Sequence, residues 1–492
     1  MAKVPPGVEP VLAAGLGFPS QVVAAEVAED AEGGKSRAKM PKTITINPDD
    51  RTILTGYFGR VVGPVASAWT SPGSRGFWQG WTGPDQGFDW TVIAKGGGPY
   101  TIDVLAEGGP QRPMIEVSAA GKIFRKRLGR FWNRISVGTT DLPAGRSSIS
   151  FRSVGKTQPL KFISLELVRP AVHRRIERDA LLMRADTSWM VDKVYGLMFH
   201  WVGGTYPRRG PGKPYRQAVN DFPVKKFADT VASMGAGWVY VCTTHAIYHW
   251  PGPNAAIDSI LRGRTCKRDL IGELAQALAD RGVRLGLYYH PGHDDMPWWD
   301  RVGFDTAGRE KFFRTWKAVI EDAGRRYGSL LAGWWFDDGM HSYYHAAPPW
   351  KDLLISARAG HDQRVVLWNA WLAPKVTWYT DTSSWESWLT SDLISGGGNL
   401  PAGGDGRFIA GPQKGLQAHI TTLIHQSWGH HLPNRPISKC QYTTKQLIAW
   451  LKEARKRKAV VSLNLEIYQD GAFAPADVRR FREIRKALDS GR

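Results

Sequence analysis

The segment Asp269-Leu-Ile-Gly-Glu-Leu-Ala-Gln-Ala-Leu-Ala-Asp-Arg-Gly-Val-Arg-Leu-Gly-Leu-Tyr-Tyr-His290 indicates the fold class most clearly. Its first part, Asp269–Arg281, places apolar residues at helical spacing. Its second part, Val283–His290, is a nearly continuous apolar run, which is typical of a parallel strand covered on both faces. A helix that leads directly into such a strand is the repeating unit of α/β proteins, so the stretch predicts parallel βα units.

The alternation of strands and helices extends from about residue 187 to the end of the chain. Thr443 and Gln446 form a capping-box pattern at the start of the last predicted helix. The predicted helices are Val224–Met234, Asp269–Arg281, Glu310–Tyr327 and Thr444–Lys458. The predicted strands are Val194–His200, Trp238–Thr244, Val283–His290, Leu331–Asp338, Arg364–Asn369 and Ala459–Ile467. We predict a (β/α)8-like TIM barrel over residues 187–492, with few clear signals between Trp371 and Gly415 for its late strands.

A different pattern precedes the barrel. Residues 42–170 contain short alternating runs separated by turn residues, which predict an all-β sandwich. The clearest runs are Thr43–Ile46, Tyr100–Leu105, Met114–Val117 and Lys161–Val168. Residues 1–41 have no sustained period and are predicted to be a flexible leader, and 171–186 a linker. The chain is therefore expected to be an α/β protein with an N-terminal all-β domain.

Composition excludes several classes of protein. The chain of 492 residues has no run of eighteen apolar residues, so a membrane span is not predicted. Its three cysteines include no CxxC pair, so neither a structural zinc site nor a disulfide framework is indicated. The net charge of +20 is spread along the chain without a nucleic-acid motif, so we expect no nucleic-acid partner, while an anionic polysaccharide stays open. The leader lacks a clear signal peptide, and neither the compartment nor the oligomeric state is predicted.

Polar side chains finish five of the predicted barrel strands, where the active site of such a barrel lies. They are His200 and Trp201 after the first strand, His245 and His249 after the second, Tyr288, Tyr289 and His290 after the third, Asp337 and Asp338 after the fourth, and Asn369 after the fifth. Imidazole and carboxylate groups bond hydroxyls and indoles cover apolar ring faces, and no glycine-rich phosphate loop is present. The pattern predicts a sugar or polyol substrate.

Hydrolysis of a glycosidic bond normally uses two carboxylates. Asp337 or Asp338 supplies the first. Glu386 is the best candidate for the second, because tryptophans flank it and desolvation would raise the pKa of its carboxyl, as a general acid requires. Asp381 is the reserve candidate. No cofactor or catalytic metal is needed for this chemistry.

Six segments of the barrel region resemble the family-29 α-L-fucosidases, in the same order along the chain. Gly196–Trp201 resembles the GLFIHWG segment of that family, Met234–Thr244 its MGAKYVVLTTKHHDGF stretch, Asp269–Tyr289 its DLVGEL…FGLYYS, Gly333–Gly339 its LWFDG, Ser427–Gly429 its SWGY, and Val461–Gly471 its LLNIGP…DG. The KHHDGF motif reads His245-Ala-Ile-Tyr-His249 here. The resemblance implies a retaining exo-glycosidase that acts on terminal sugars of glycans.

The resemblance also implies roles for individual residues. Asp337 falls on the aspartate of the WFDG motif and is the implied nucleophile, whereas Glu386 is supported as acid/base by region only. The residues implied to bind the sugar are His200, Trp201, His245, His249, Tyr289, Trp335, Asn369 and Trp428.

The sandwich resembles a second group of families. Phe131–Val137, followed by Leu142–Gly145, is similar to the late strands of carbohydrate-binding modules of families 6 and 35. Such modules hold sugars on their loops and often bind a structural Ca²⁺, so the resemblance implies a glycan ligand and allows a Ca²⁺ in this domain.

Two alternatives remain open from the sequence. Phe336–Gly339 with His341–His345 resembles the FDDG and HSxxH motifs of metal-dependent polysaccharide deacetylases, in which two histidines four residues apart share a metal with an aspartate. The two deacetylase motifs are normally far apart in sequence, however, whereas here they abut. The second alternative is a catalytically silent sugar-binding protein.

Overall fold

Among the residues that the structure describes, twelve strands form the first domain of the chain. The computed structural model describes residues 43–67, 77–130, 132–155, 160–245, 247–292, 295–303, 309–337, 348–369, 375–383, 400–411 and 413–490, and only the backbone of 385–386. The strands of this domain are β1 (Ile44–Ile46), β2 (Thr52–Thr55), β3 (Arg60–Val62), β4 (Ala66–Ser67), β5 (Trp78–Gln79), β6 (Gly87–Ala94), β7 (Gly98–Glu107), β8 (Met114–Ala119), β9 (Lys122–Arg127), β10 (Asn133–Leu142), β11 (Gly145–Val154) and β12 (Lys161–Val168).

These strands form two sheets around one core. One sheet has the order β1-β6-β11-β8-β9 with β3 beside β6, and the other has the order β10-β7-β12-β5-β4 with β2 beside β12. Alternate residues of β6 and β11 are buried, so Phe88, Trp90, Ile149 and Phe151 point into the core, where they meet Phe162 of the second sheet. The alternating pattern in the sequence thus reflects one buried face per strand.

Helix α1 (Pro170–Leu182) follows the second sheet directly and occupies most of the predicted linker. Proline at its first position suits the helix start, because its fixed φ angle is already helical. Nδ1 of His173 lies 3.2 Å from Nη2 of Arg51 in the sandwich, and Asp179 pairs with Lys351 of the second domain at 2.9 Å. The helix therefore contacts both domains.

In the described part of the second domain, eight parallel strands form one sheet. They are β13 (Tyr195–Phe199), β14 (Trp238–Cys242), β15 (Arg284–Tyr289), β16 (Leu331–Phe336), β17 (Val365–Trp368), β18 (Trp385–Glu386), β19 (His419–Leu423) and β20 (Val460–Asn464). Their order is β17-β16-β15-β14-β13-β20-β19-β18. The amide of Asp381, just before β18, donates to the carbonyl of Val366 in β17 at 2.9 Å, which links the two ends of this order. The predicted (β/α)8-like barrel with an N-terminal all-β domain is confirmed.

Helices cover the outside of the barrel. They are α2 (Ser188–Lys193), α3 (Tyr215–Asp221), α4 (Val224–Ser233), α5 (Ala255–Ile260), α6 (Leu270–Ala279), α7 (Met296–Val302), α8 (Glu310–Tyr327), α9 (Trp350–Ala357), α10 (Thr444–Lys456) and α11 (Pro475–Asp489), with a 3₁₀ turn at Gly328–Leu330. The predicted capping box of Thr443 and Gln446 opens α10. Asp269 caps α6 by accepting a hydrogen bond from the amide of Gly272 at 2.9 Å. No described helix is long and apolar enough to cross a membrane.

Aromatic side chains fill the interior of the barrel. Trp238, Tyr240, Tyr288 and Trp335 are each at most 1% exposed and belong to one buried cluster. Gly196 makes this packing possible, because a Cβ atom at that position would lie 2.3 Å from the indole of Trp238. The interior is thus a packed core, and the rim at the C-terminal ends of the strands is left as the place for a site.

Candidate active site

Asp337 directly follows the last residue of β16, at the C-terminal rim of the barrel. One carboxylate oxygen accepts a hydrogen bond from Nδ2 of Asn369 at 2.7 Å, and the other accepts one from the hydroxyl of Tyr288. The three residues come from the ends of β15, β16 and β17, which are neighbours in the sheet. Since parallel neighbours end at the same edge, the strand order brings these side chains together.

Trp335 lies beneath this rim. Its ring stacks on Tyr288 with a centroid separation of 5.0 Å, and its indole N–H donates to Oγ1 of Thr421 at 3.1 Å. The side chain is 1% exposed. Trp335, predicted to bind the sugar, therefore supports Tyr288 from below in this structure.

Three histidines surround Tyr288 on the same rim. The ring of His200 lies 4.6 Å from that of Tyr288 and 5.8 Å from that of His245. The ring of His290 lies 5.0 Å from that of His245. The structure thus brings together His200, His245 and His290, which were expected at the ends of the first three predicted strands. A rim of imidazole, phenol and amide groups can bond several hydroxyls of one sugar.

Burial determines the charge of His200, and its hydrogen bonds determine which ring nitrogen carries the proton. Burial, and secondly the neighbouring His245, lowers the pKa of His200 to about 3, so its imidazole is neutral at neutral pH. The amide nitrogen of Asn464 donates to the carbonyl of Trp428 at 2.8 Å, which turns Oδ1 of Asn464 toward His200. This oxygen lies 2.8 Å from Nδ1 of His200, so Nδ1 carries the proton and Nε2 is a hydrogen-bond acceptor.

Trp428, predicted as a sugar contact, forms another part of the rim. Its half-buried ring lies 5.0 Å from the ring of His200, at an interplanar angle of 52°. An indole that remains partly open beside polar groups suits the apolar face of a sugar ring.

Three residues predicted as substrate contacts have other partners in the structure, namely Trp201, His249 and Tyr289. The indole N–H of Trp201 donates to the carbonyl of Gln469 at 3.0 Å. His249 stacks on Tyr215 at 4.8 Å, and burial lowers its pKa to about 4. The hydroxyls of Tyr289 and Tyr248 lie 2.8 Å apart. Trp201 and Tyr289 each adjoin a rim residue, His200 and Tyr288, and alternation along the chain sends neighbours to opposite faces.

Asp381, the reserve candidate for the acid/base, lies at the opposite end of the barrel. Both its carboxylate oxygens lie 2.8 Å from Nη2 of Arg358, and they also accept hydrogen bonds from the amides of Ala185 and Val366. Val366 is the second residue of β17, and Ala185 precedes β13. The expectation for Asp381 is therefore wrong, because these partners hold its carboxylate at the N-terminal ends of the strands.

Asn464 is the rim residue that sequence reasoning missed, whereas Tyr288 was expected at the end of the third strand without a role of its own. Tyr288 donates to Asp337, and Asn464 orients His200. Asn464 is the last residue of β20 and a polar side chain in an otherwise apolar strand end, which is the signal that could have identified it. To assign Tyr288 a role beside Asp337, one would have needed to know which residues of β15 point into the barrel.

Several predicted residues lie outside the described part of the chain. Asp338, His341 and His345, which carry the likeness to deacetylases, are among them, as is the side chain of Glu386. The backbone of Glu386 pairs with Thr421, the residue that accepts the hydrogen bond from Trp335. Among the described residues, no group of three or more His, Cys, Asp or Glu side chains is placed to hold a metal ion.

The alpha-L-fucosidase family model matches residues 183–490, which is more than half of the chain. None of the curated proteins matches the chain at a significant level. A GH29 alpha-L-fucosidase from Bacteroides thetaiotaomicron is 16% identical, with 62% of this chain and 74% of that chain covered and a TM-score of 0.44. Alpha-L-fucosidase isoenzyme 1 from Paenibacillus thiaminolyticus is 17% identical, with 64% of this chain and 76% of that chain covered and a TM-score of 0.45. A variant of the alpha-L-fucosidase AlfC in complex with Fuca(1,6)GlcNAc is 18% identical, with 62% and 98% covered and a TM-score of 0.42.

Proposed function

Because the chain belongs to the alpha-L-fucosidase family and is therefore a glycoside hydrolase, we propose that it is a retaining exo-glycosidase that releases α-L-fucose or a close variant from the ends of glycans. The observation that supports this most directly is the carboxylate of Asp337, which Tyr288 and Asn369 orient at the rim of the barrel. The alternatives of a deacetylase and a silent binder have no support from the family match.

Asp337 is the proposed nucleophile. A carboxylate oxygen has two lone pairs, so one hydrogen bond from Tyr288 or Asn369 leaves a lone pair for attack. In the first step Asp337 bonds to the anomeric carbon while the bond to the leaving oxygen breaks. Tyr288 and Asn369 fix the carboxylate at the end of β16, which reduces the reorganisation needed for attack.

Glu386 is the proposed acid/base. In the first step it donates its proton to the leaving oxygen, and in the second it takes a proton from the water that displaces Asp337. Its backbone lies on β18, and two strands, β19 and β20, separate β18 from β13, which ends beside His200. This position in the barrel and its tryptophan neighbours in the sequence support the proposal.

The proposed sugar pocket is formed by His200, His245, His290 and Trp428. Neutral His200 presents Nε2 as an acceptor, so it pairs with a hydroxyl that donates. Trp428 offers an apolar face on the other side of His200. The pocket thus combines directional polar groups with one flat aromatic wall, as uncharged sugars require.

Release of nitrophenol from a panel of aryl glycosides, headed by the α-L-fucoside, tests the function. We expect turnover of the fucoside, and ¹H NMR of the first product should show the α anomer, as retention requires. Appearance of the β anomer first would contradict the retaining mechanism. Failure of folded protein to cleave any glycoside would contradict the function itself.

For the sandwich we propose a carbohydrate-binding role. Its two-sheet architecture and its sequence resemblance to binding modules support this. Strand β9 at the edge of one sheet is largely exposed and includes Lys122, Arg125, Lys126 and Arg127, so anionic glycans are included as candidate ligands. Retention of the full chain with Asp337→Asn on immobilised neutral and anionic polysaccharides tests this role, and retention on none of them would contradict it.

A further inference from the structure

A buried pair of ionisable side chains lies next to the rim. Nδ1 of His430 is 3.5 Å from a carboxylate oxygen of Glu466, and the two side chains are 3% and 5% exposed. The other carboxylate oxygen accepts a hydrogen bond from Oγ of Ser438 at 2.7 Å. Burying ionisable groups is unfavourable unless they are paired, so their presence here needs a local explanation. In the family motifs SWGY and LLNIGP, the positions of His430 and Glu466 are Tyr and Gly.

His430 belongs to a short segment, residues 427–431, which we call the Trp428 loop. The carbonyl of His430 accepts a hydrogen bond from the amide of Tyr206 at 3.0 Å. Gly429 lies so close to the end of β13 that a Cβ atom there would be 2.7 Å from the carbonyl oxygen of His200. The Trp428 loop therefore lies directly against His200, and the side chain of His430 joins the loop to Glu466, two residues beyond the end of β20.

Two hydrogen bonds connect the Trp428 loop to His200 through the side chain of Asn464. The backbone carbonyl of Trp428 accepts a hydrogen bond from the side-chain amide of Asn464. The same side chain thereby directs its Oδ1 to Nδ1 of His200. If this carbonyl moved away, the Asn464 amide could rotate and offer its N–H₂ group to His200 instead. His200 would then protonate at Nε2 and present a donor to the rim.

We propose that His430 and Glu466 are positioning residues that hold the Trp428 loop, and through Trp428 and Asn464 keep Nε2 of His200 as a hydrogen-bond acceptor for the substrate. The inference rests on the proposed glycosidase function, because it assigns His200 to a sugar hydroxyl. Neither residue contacts Asp337, Tyr288 or Asn369 in the described hydrogen bonds, so the pair acts on sugar binding rather than on nucleophilic attack.

Steady-state kinetics of Glu466→Gln and His430→Gln on an aryl α-L-fucoside test the proposal. We expect KM to rise about tenfold in each variant while kcat stays within about twofold, because the nucleophile and its donors are unchanged. The double variant should resemble either single variant, since the two residues act as one unit. Glu177→Gln is the control, because Glu177 also pairs with a histidine, His173 at 3.1 Å, but on helix α1.

A merely structural pair would lower the melting temperature and leave the KM of the folded enzyme unchanged, and this result would overturn the proposal. A second readout does not need activity. In ¹⁵N-histidine NMR spectra, the His200 signals, assigned by their loss in His200→Gln, should show protonation at Nδ1 in the unmodified chain. In Glu466→Gln they should shift toward protonation at Nε2.

The two readouts separate this inference from the proposed function. A raised KM with a changed tautomer of His200 would support the relay through Trp428 and Asn464. An unchanged tautomer would overturn that relay even if KM rises. If the unmodified chain cleaves no glycoside, the proposed function fails, and the NMR comparison then decides by itself whether His430 and Glu466 control His200.

Discussion

The two ends of the barrel each bury an aspartate, and the two carboxylates are held in different ways. At the N-terminal end, Asp381 is paired with the guanidinium of Arg358 and also accepts two backbone amides. At the C-terminal end, the described donors to Asp337 are the uncharged hydroxyl of Tyr288 and the amide of Asn369. The ion pair with Arg358 holds Asp381 within the fold, whereas the hydrogen bonds from Tyr288 and Asn369 orient the carboxylate of Asp337 at the rim.

Asp337→Asn tests the proposed nucleophile, and we expect it to reduce activity more than any other substitution. The change is nearly isosteric, but an amide cannot attack the anomeric carbon, so kcat should fall by at least about 10³-fold. The melting temperature should stay close to that of the unmodified protein. Aryl fucoside kinetics and a thermal melt on one preparation check both expectations, and retained turnover would remove Asp337 from the role of nucleophile.

Asp381→Asn tests the structural end and should give the opposite result. Removing the charge leaves Arg358 buried without its partner, which costs about 3–5 kcal/mol of unfolding free energy. Well below the melting temperature, kcat should stay within about twofold, because the rim is not touched. Urea unfolding and the same kinetics measure the two quantities. A loss of kcat without a loss of stability would contradict the structural role of Asp381.

Glu386→Ala tests the proposed acid/base carboxylate. A general acid matters most when the leaving group is poor, so a fucosyl disaccharide should lose about 10²–10³-fold in kcat/KM. A nitrophenyl fucoside needs little protonation and should lose much less. Glu386→Gln should behave in the same way, since it also lacks the proton to donate. Equal losses on both substrates would exclude Glu386 as the acid.

The position of Asp337 at the rim was predictable from the sequence, and the position of Asp381 at the other end was not. The apolar run of β16 stops at Asp337, and a polar residue that ends a parallel strand of a barrel lies at the rim. The sequence gives no comparable signal for the pairing of Asp381 with Arg358 and Ala185, because these contacts join segments up to 196 residues apart. Asp381 was therefore predicted as a catalytic reserve although it lies at the other end of the barrel.

The late strands show a second reason why sequence patterns fail. Strand β19 includes His419, Thr421 and Thr422, so it lacks the apolar run by which the other strands were predicted. His419 and Thr421 bond to partners inside the barrel, namely Ser462 at 2.8 Å and Trp335 at 3.1 Å. A polar strand is stable in this interior only because its partners are already in place, and those partners come from distant parts of the chain.

Buried histidines inside the barrel and at its rim should make the unfolding free energy depend on pH, and this effect is smaller than those above. Burial lowers the pKa of His419 to about 3, as it does for His200 at the rim. Unfolded histidine has a pKa of about 6.5, so between the two values the unfolded chain binds more protons than the folded chain. Unfolding free energy therefore falls as pH falls below about 6.5, by up to about 1.4 kcal/mol per pH unit for each such histidine.

His419→Gln should remove one histidine's share of this pH dependence. The variant will lose some stability at every pH, because the hydrogen bond to Ser462 changes, so the slope between pH 6.5 and 4.5 is the quantity to compare. Urea unfolding at several pH values should give a slope smaller by about 1 kcal/mol per pH unit than that of the unmodified protein. His200→Gln should reduce the slope by a similar amount and also raise KM, whereas His419→Gln should leave KM unchanged, since His419 lies inside the barrel. An unchanged slope in His419→Gln would mean that His419 titrates alike in the folded and unfolded chain.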